Sequence, residues 1–158
     1  MLIKIFLCGL IMFLLGIITG GMMIFTLLMK KISSINALNE EYNEIMCIQN
    51  LWMEKVENGQ RITDLLKQKE YSVVAIHGIG MLGVRLLNQI RQTDIEVRYI
   101  IGERKDSIYR DIPVKELSPD LEPVDVIIVT SSYYYYEIEK RIKSYLSYEV
   151  ISIERLIK

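Results

Sequence analysis

From Ile5 to Met29 no side chain carries a charge, and that run limits what the chain can become more than any other feature. A helix rises 1.5 Å per residue, so these 25 positions span about 37 Å, against about 30 Å of bilayer hydrocarbon. Lys4 stands before the run and Lys30-Lys31 close it. A cleaved secretion signal has a shorter apolar stretch and ends in small residues, whereas this one ends in Leu27-Leu28-Met29. Residues 1–31 are therefore expected to form an uncleaved, single-pass transmembrane anchor in the bilayer. Gly16 and Gly20 form a GxxxG with Gly9 seven residues earlier, a spacing that lets two helices pack backbone on backbone. Glycine is also simply common in membrane helices, so a homodimer through Gly16 and Gly20 is one of two readings.

The segment 32–60 reads as a helical stalk. Ser33 and Ser34 are candidate N-caps, and Ile35, Leu38, Tyr42, Ile45, Trp52 and Val56 follow at three- and four-residue steps, with Gln49 the polar interruption. Such a seam suits a coiled-coil dimer, or equally an amphipathic helix folded onto the domain that follows. Glu40, Glu41, Glu44, Glu54 and Glu57 make its polar side acidic, which keeps it off anionic headgroups. Asn58-Gly59 is a turn signal that ends it.

Residues 61–158 carry balanced charge, and the whole chain has 19 basic against 20 acidic side chains, for a net charge of -1. A nucleic-acid binder needs a basic surplus, so that class is excluded. His77 is the one histidine, and Cys8 and Cys47 are the only cysteines, so zinc-ligand spacing and a disulfide framework are both missing. A short helix with Ile62, Leu65 and Leu66 leads into Ser72-Val73-Val74-Ala75-Ile76, a run suited to a buried parallel strand. Asp94 to Ile101 and Val124 to Val129 read as further strands, Ile112-Pro113-Val114 as a short edge strand, and Glu149 to Ile153 as the last. With helices from Val84 to Arg91 and from Glu137 to Leu146, the pattern is α/β: an open parallel sheet of about five strands.

Between the first strand and its helix stands His77-Gly78-Ile79-Gly80-Met81-Leu82-Gly83, a complete GxGxxG in the strand–turn–helix context that gives the motif meaning. Gly78 makes the tight turn, Gly80 lets a phosphate approach the backbone, and Gly83 lets the helix pack closely on the sheet. The helix start then offers unpaired N–H groups and a positive dipole end to an anion. This points to a Rossmann-like domain, with Ile79, Met81 and Leu82 in the same loop, binding NAD(P) or a nucleotide-sugar. The acid that grips a ribose hydroxyl in such folds stands about twenty residues on. Glu103 is the candidate, although Gly102 occupies the usual place, and Arg104 or Lys105 are positioned to meet a ribose phosphate or simply to be solvated. Thr130 and Ser131 lie at the carboxyl end of a strand, where ligands bind in open α/β sheets, with Ser132 able to cap the next helix. His77 is either a strand-end residue or a hydrogen-bond donor to the ligand. Tyr136 and Lys140 make a YxxxK, but too early in the fold for the tyrosine–lysine pair of short-chain dehydrogenases. No catalytic residues and no metal site are assigned.

These residues carry a resemblance. From Leu51-Trp52 through Ile153 the chain resembles a family of small Rossmann-like domains from bacterial loci for capsule and other cell-surface polysaccharides. The matching positions are Leu51-Trp52, Tyr71, Ile76 to Gly83, Ile112-Pro113-Val114 and Val124 to Ser131, over about two-thirds of the chain. It is also similar to the nucleotide-binding half of polysaccharide-biosynthesis sugar dehydratases and epimerases, without their catalytic part. It departs from that pattern at Gly102-Glu103 and in His77, where a tyrosine is common. The resemblance implies an accessory role in surface-polysaccharide biosynthesis beside a glycosyltransferase or another biosynthetic partner. The free thiol of Cys47 and the nucleotide-type loop place the domain on the cytoplasmic side. The alternatives are an oxidoreductase or sugar-modifying enzyme completed by a partner chain, and a non-catalytic membrane scaffold with a vestigial pocket.

Overall fold

A computed structural model describes residues 2–102 and 107–158. The chain divides into two units, one ending at Tyr42 and one comprising Asn43–Lys158. Helix α1 (Leu2–Glu57) supplies the whole of the first and the opening of the second.

Among the described side chains of the first unit the large apolar ones are exposed, with Phe13, Ile18, Met22 and Phe25 all 60% exposed or more. Among the described residues, α1 is the one helix long and apolar enough to cross a membrane, with a mean hydropathy of 2.2 over its most apolar window. The two hydroxyls of its uncharged run are already satisfied: Thr19 Oγ1 donates to the Leu15 carbonyl at 2.9 Å and Thr26 Oγ1 to that of Met22 at 2.6 Å. Hydroxyls returned to their own backbone leave no polar group asking for water. Ser33 and Ser34 cap nothing, because α1 runs straight through them. Serine inside a helix costs only a few tenths of a kcal/mol against alanine, too little to stop one.

The second unit is a six-stranded sheet, one strand more than the sequence suggests. Its strands are β1 (Val73–His77), β2 (Glu96–Ile101), β3 (Ser107–Tyr109), β4 (Ile112–Lys115), β5 (Val126–Val129) and β6 (Glu149–Ser152), in the order β3-β4-β2-β1-β5-β6. All neighbours pair in parallel except β3 with β4. The extra strand is β3, joined to β4 through Arg110 and Asp111, both at positive φ as a two-residue hairpin requires. Ile112-Pro113-Val114 is therefore not an edge; β3 covers it. Pro113 is tolerated because the ladder with β2 begins one residue later, at Val114, so the proline falls outside that pairing.

The remaining helices are α2 (Ile62–Gln68), α3 (Met81–Ile90), α4 (Tyr135–Lys143) and α5 (Ile153–Ile157), the last of which the sequence reading does not anticipate, its final strand running to Ile153. Strand periodicity divides the core between the two faces of the sheet. Val74 and Ile76 of β1 and Val126 and Ile128 of β5 join Leu66, Leu86, Leu87 and Leu156 on one face. Ala75, Ile127 and Val129 turn the other way, to Tyr99, Tyr135 and Ile142. Because both faces are covered, the central strands carry no polar side chain between Val73 and Ile76 or between Val126 and Val129.

The end of α1 belongs to this core. Ile48 and Trp52 are 2% and 1% exposed in the α3 layer, with Ile45 and Leu51 packed beside them, whereas Ile35, Leu38, Tyr42 and Val56 stay about half exposed. The apolar seam thus splits: Ile45 and Trp52 pack onto the sheet domain while Ile35, Leu38 and Tyr42 stay exposed, and the second unit takes in α1 from Asn43. The indole of Trp52 fills space that no solvent reaches, so Trp52→Ala should cost about 3–5 kcal/mol in urea unfolding of the detergent-solubilised chain. Leu38→Ala, on the exposed stretch, should change it by less than about 0.5 kcal/mol.

Candidate functional site

β1 brings His77 to the carboxyl edge of the sheet, and the chain reverses within three residues. The Gly78 N–H donates to the Ile101 carbonyl of β2 at 3.1 Å, and Gly78 then takes φ +90°, a region that side chains disfavour. Gly80 opens α3. One turn on, Gly83 is pressed against the loop: a Cβ there would lie 2.3 Å from the Gly78 carbonyl oxygen. Thr130, just past β5, closes the arrangement from the far side. Its N–H donates to the His77 carbonyl at 3.1 Å, and its hydroxyl reaches the carbonyls of His77 (3.0 Å) and Gly78 (3.1 Å). Here α3 leaves on one face of the sheet and α4 on the other, with β1 and β5 adjacent. Open parallel sheets bind ligands at such a switch point.

Gly80 is exposed, nothing lies within 4 Å of where its Cβ would stand, and no side chain caps α3. Among the described residues no side chain bonds the N–H groups of this first turn, which lie at the positive end of a ten-residue helix. Such a terminus suits an anion whose oxygens accept from main-chain nitrogen.

The predicted site residues separate by role. Gly78 and Gly83 shape the turn, while Gly80 leaves it open. Leu82 is 2% exposed and points into the core, so only its N–H is available at the turn. Met81 is half exposed, and its sulfur accepts from Gln49 Nε2 of α1 at 2.7 Å. Ile79 lines a cleft. The Thr130 hydroxyl is spent on the turn and braces it. Ser131 is partly buried beside it. Ser132 does not cap α4 with its side chain: its carbonyl accepts from Tyr135 N at 3.1 Å, and its buried Oγ has no partner. Glu103 and Arg104 lie outside the described residues.

Two clefts flank the tip of β2, sharing Ile101 and Gly102. The smaller, about 410 Å³, is walled by Ile79, Ile100, Ile108, Tyr109 and Val114 and is largely apolar. The larger, about 590 Å³, holds His77, Glu116, Tyr134, Glu137 and Arg141 over a floor that includes Leu117 and Ile138. Sequence reasoning misses this second cleft. The signal was Glu137 and Arg141, four residues apart on the helix that follows the loop at the end of β5. Among the described residues, no cluster of three His, Cys, Asp or Glu side chains is placed to hold a metal ion.

Burial pushes the His77 imidazole below its ordinary pKa of 6.5, and the positive charge of Arg141 adds to the effect. The ring is therefore neutral at pH 7, with one donor and one acceptor. Compared with protein-family models, curated proteins and solved structures, the chain gives no match.

A histidine held neutral by the fold binds a proton more readily when unfolded, so stability is intact above the unfolded value and falls as pH drops below it. The unfolding free energy measured in urea should fall as pH drops from about 6.5 to 5, a window above that of the carboxylates, and His77→Gln should flatten the profile.

Proposed function

We propose that this chain is a membrane-anchored, Rossmann-like module that binds a dinucleotide or nucleotide-sugar through a phosphate at the glycine turn. The open face of Gly80, beside uncapped main-chain nitrogen, carries the reading. Three observations support it. Parallel strands in the order β4-β2-β1-β5-β6 put the turn at the switch point. An apolar cleft beside Ile79 suits a base. The Gly78–Gly83 contact accounts for the first and last glycines of the motif sterically, so the middle one is left for the ligand. The uncharged run of α1, with both hydroxyls internally bonded, is the anchor, and the domain faces the cytoplasm. An accessory role in surface-polysaccharide biosynthesis, beside a glycosyltransferase, follows from the motif resemblance. A homodimer through Gly16, Gly20 and the exposed Ile35–Tyr42 seam is the oligomer this anchor favours.

Calorimetry on the full chain in detergent, with NAD(H), NADP(H) and UDP-glucose, tests the reading. Gly80→Asp places a carboxylate where the phosphate would rest, and aspartate is a favoured N-cap residue. The variant should lose saturable binding while keeping or slightly raising its unfolding free energy. Binding that survives the substitution removes the glycine turn from the account.

A further inference from the structure

The larger cleft has a chemistry that the glycine turn does not explain. It opens beside His77, one residue before the turn, and runs between the end of β2, the segment after β4 and helix α4. At about 590 Å³ it falls within the usual range of small-molecule sites, about 300–1,000 Å³.

Glu116 and Glu137 offer acceptors, Arg141 and Tyr134 offer donors, and neutral His77 offers one of each. Among the described residues no hydrogen bond or ion pair engages the side chains of Glu116, Glu137 or Arg141, even though Glu137 and Arg141 stand at helical pairing distance in sequence. Their polar groups therefore remain available to a ligand. Two carboxylates against one guanidinium repel a second phosphate. A nicotinamide ring brings one carboxamide and would leave most of these groups unmatched. A polyol both donates and accepts at every hydroxyl, and its C–H faces suit the Ile101, Leu117 and Ile138 floor.

We infer that this cleft is a sugar subsite. It takes the hexose of a nucleoside-diphosphate sugar whose diphosphate rests on the α3 amides, with Glu116 and Glu137 accepting from ring hydroxyls and Arg141 and Tyr134 donating to them. The assignment rests on the phosphate reading of the glycine turn, and it narrows the ligand to a nucleotide-sugar.

Calorimetry on the full chain in detergent, comparing UDP with UDP-glucose, GDP with GDP-mannose, and NAD+, tests it. At least one hexose conjugate should bind about tenfold tighter than its parent diphosphate, the worth of one or two net hydrogen bonds. The double variant Glu116→Ala/Glu137→Ala removes two exposed side chains and should erase that gain while the diphosphate affinity stays within about twofold. The inference is overturned if diphosphates bind and the hexose adds nothing, if the gain survives in the double variant, or if NAD+ binds and the hexose conjugates do not; in each case the phosphate reading stands. Absence of binding by every probe overturns both.

Discussion

Among the described glycines, the least room for a side chain is at Gly83, where a helix meets the loop that feeds it. Gly83 sits so near the Gly78 carbonyl that a single added carbon would overlap it, and the Thr130 hydroxyl fills the remaining gap. This contact draws the start of α3 onto the tip of β1, at the carboxyl edge of the sheet beside the two clefts. Everything proposed about a ligand depends on that placement. If the helix stood farther off, its first amides would open into bulk solvent with no cleft beside them.

Around this point the rest of the domain is a support. β1 lies between β2 and β5, and each neighbour contributes to holding the turn: Ile101 through its carbonyl, Thr130 through its N–H and hydroxyl. At the opposite end of β1, the Asp125 carboxylate accepts from the N–H groups of Ser72 and Val73, which hold its pKa below the ordinary value. The strand that carries the site is thus pinned at both ends. The last turns of α1 pack on the same face as α3, and Gln49 reaches Met81, the first residue of that helix. Residues 43–57 are consequently part of the domain that holds the turn.

Much of this was legible in the residues. Strands without polar side chains, such as Val126–Val129, announce burial on both faces, and a GxGxxG between a strand and a helix announces the turn. The uncharged run from Ile5 to Met29 needed only counting. What escaped were features set by tertiary partners. Trp52 and Ile45 follow a spacing that serves a coiled coil and a docked helix equally well, and the apolar face they cover on the sheet domain is not written in that spacing. The three-residue β3 is too short to show a period and exists because β4 offers it an edge. Thr130 looked like a ligand contact because of where it falls in sequence, yet its proton has two carbonyls within reach. Glu116 and Arg141 lie far apart in the chain, so the spacing of Glu137 and Arg141 on one helix could not by itself show that Glu116 joins them in a cleft.

The claim that main-chain nitrogen at the start of α3 receives an anion can be measured directly. In 1H–15N spectra of the full chain in detergent micelles, titration with pyrophosphate should move the amide resonances of Met81 and Leu82 downfield in a saturable way, while those of Val150 and Ile151 in β6 stay in place. Saturable shifts confined to other parts of the chain, or none at all, would contradict the account.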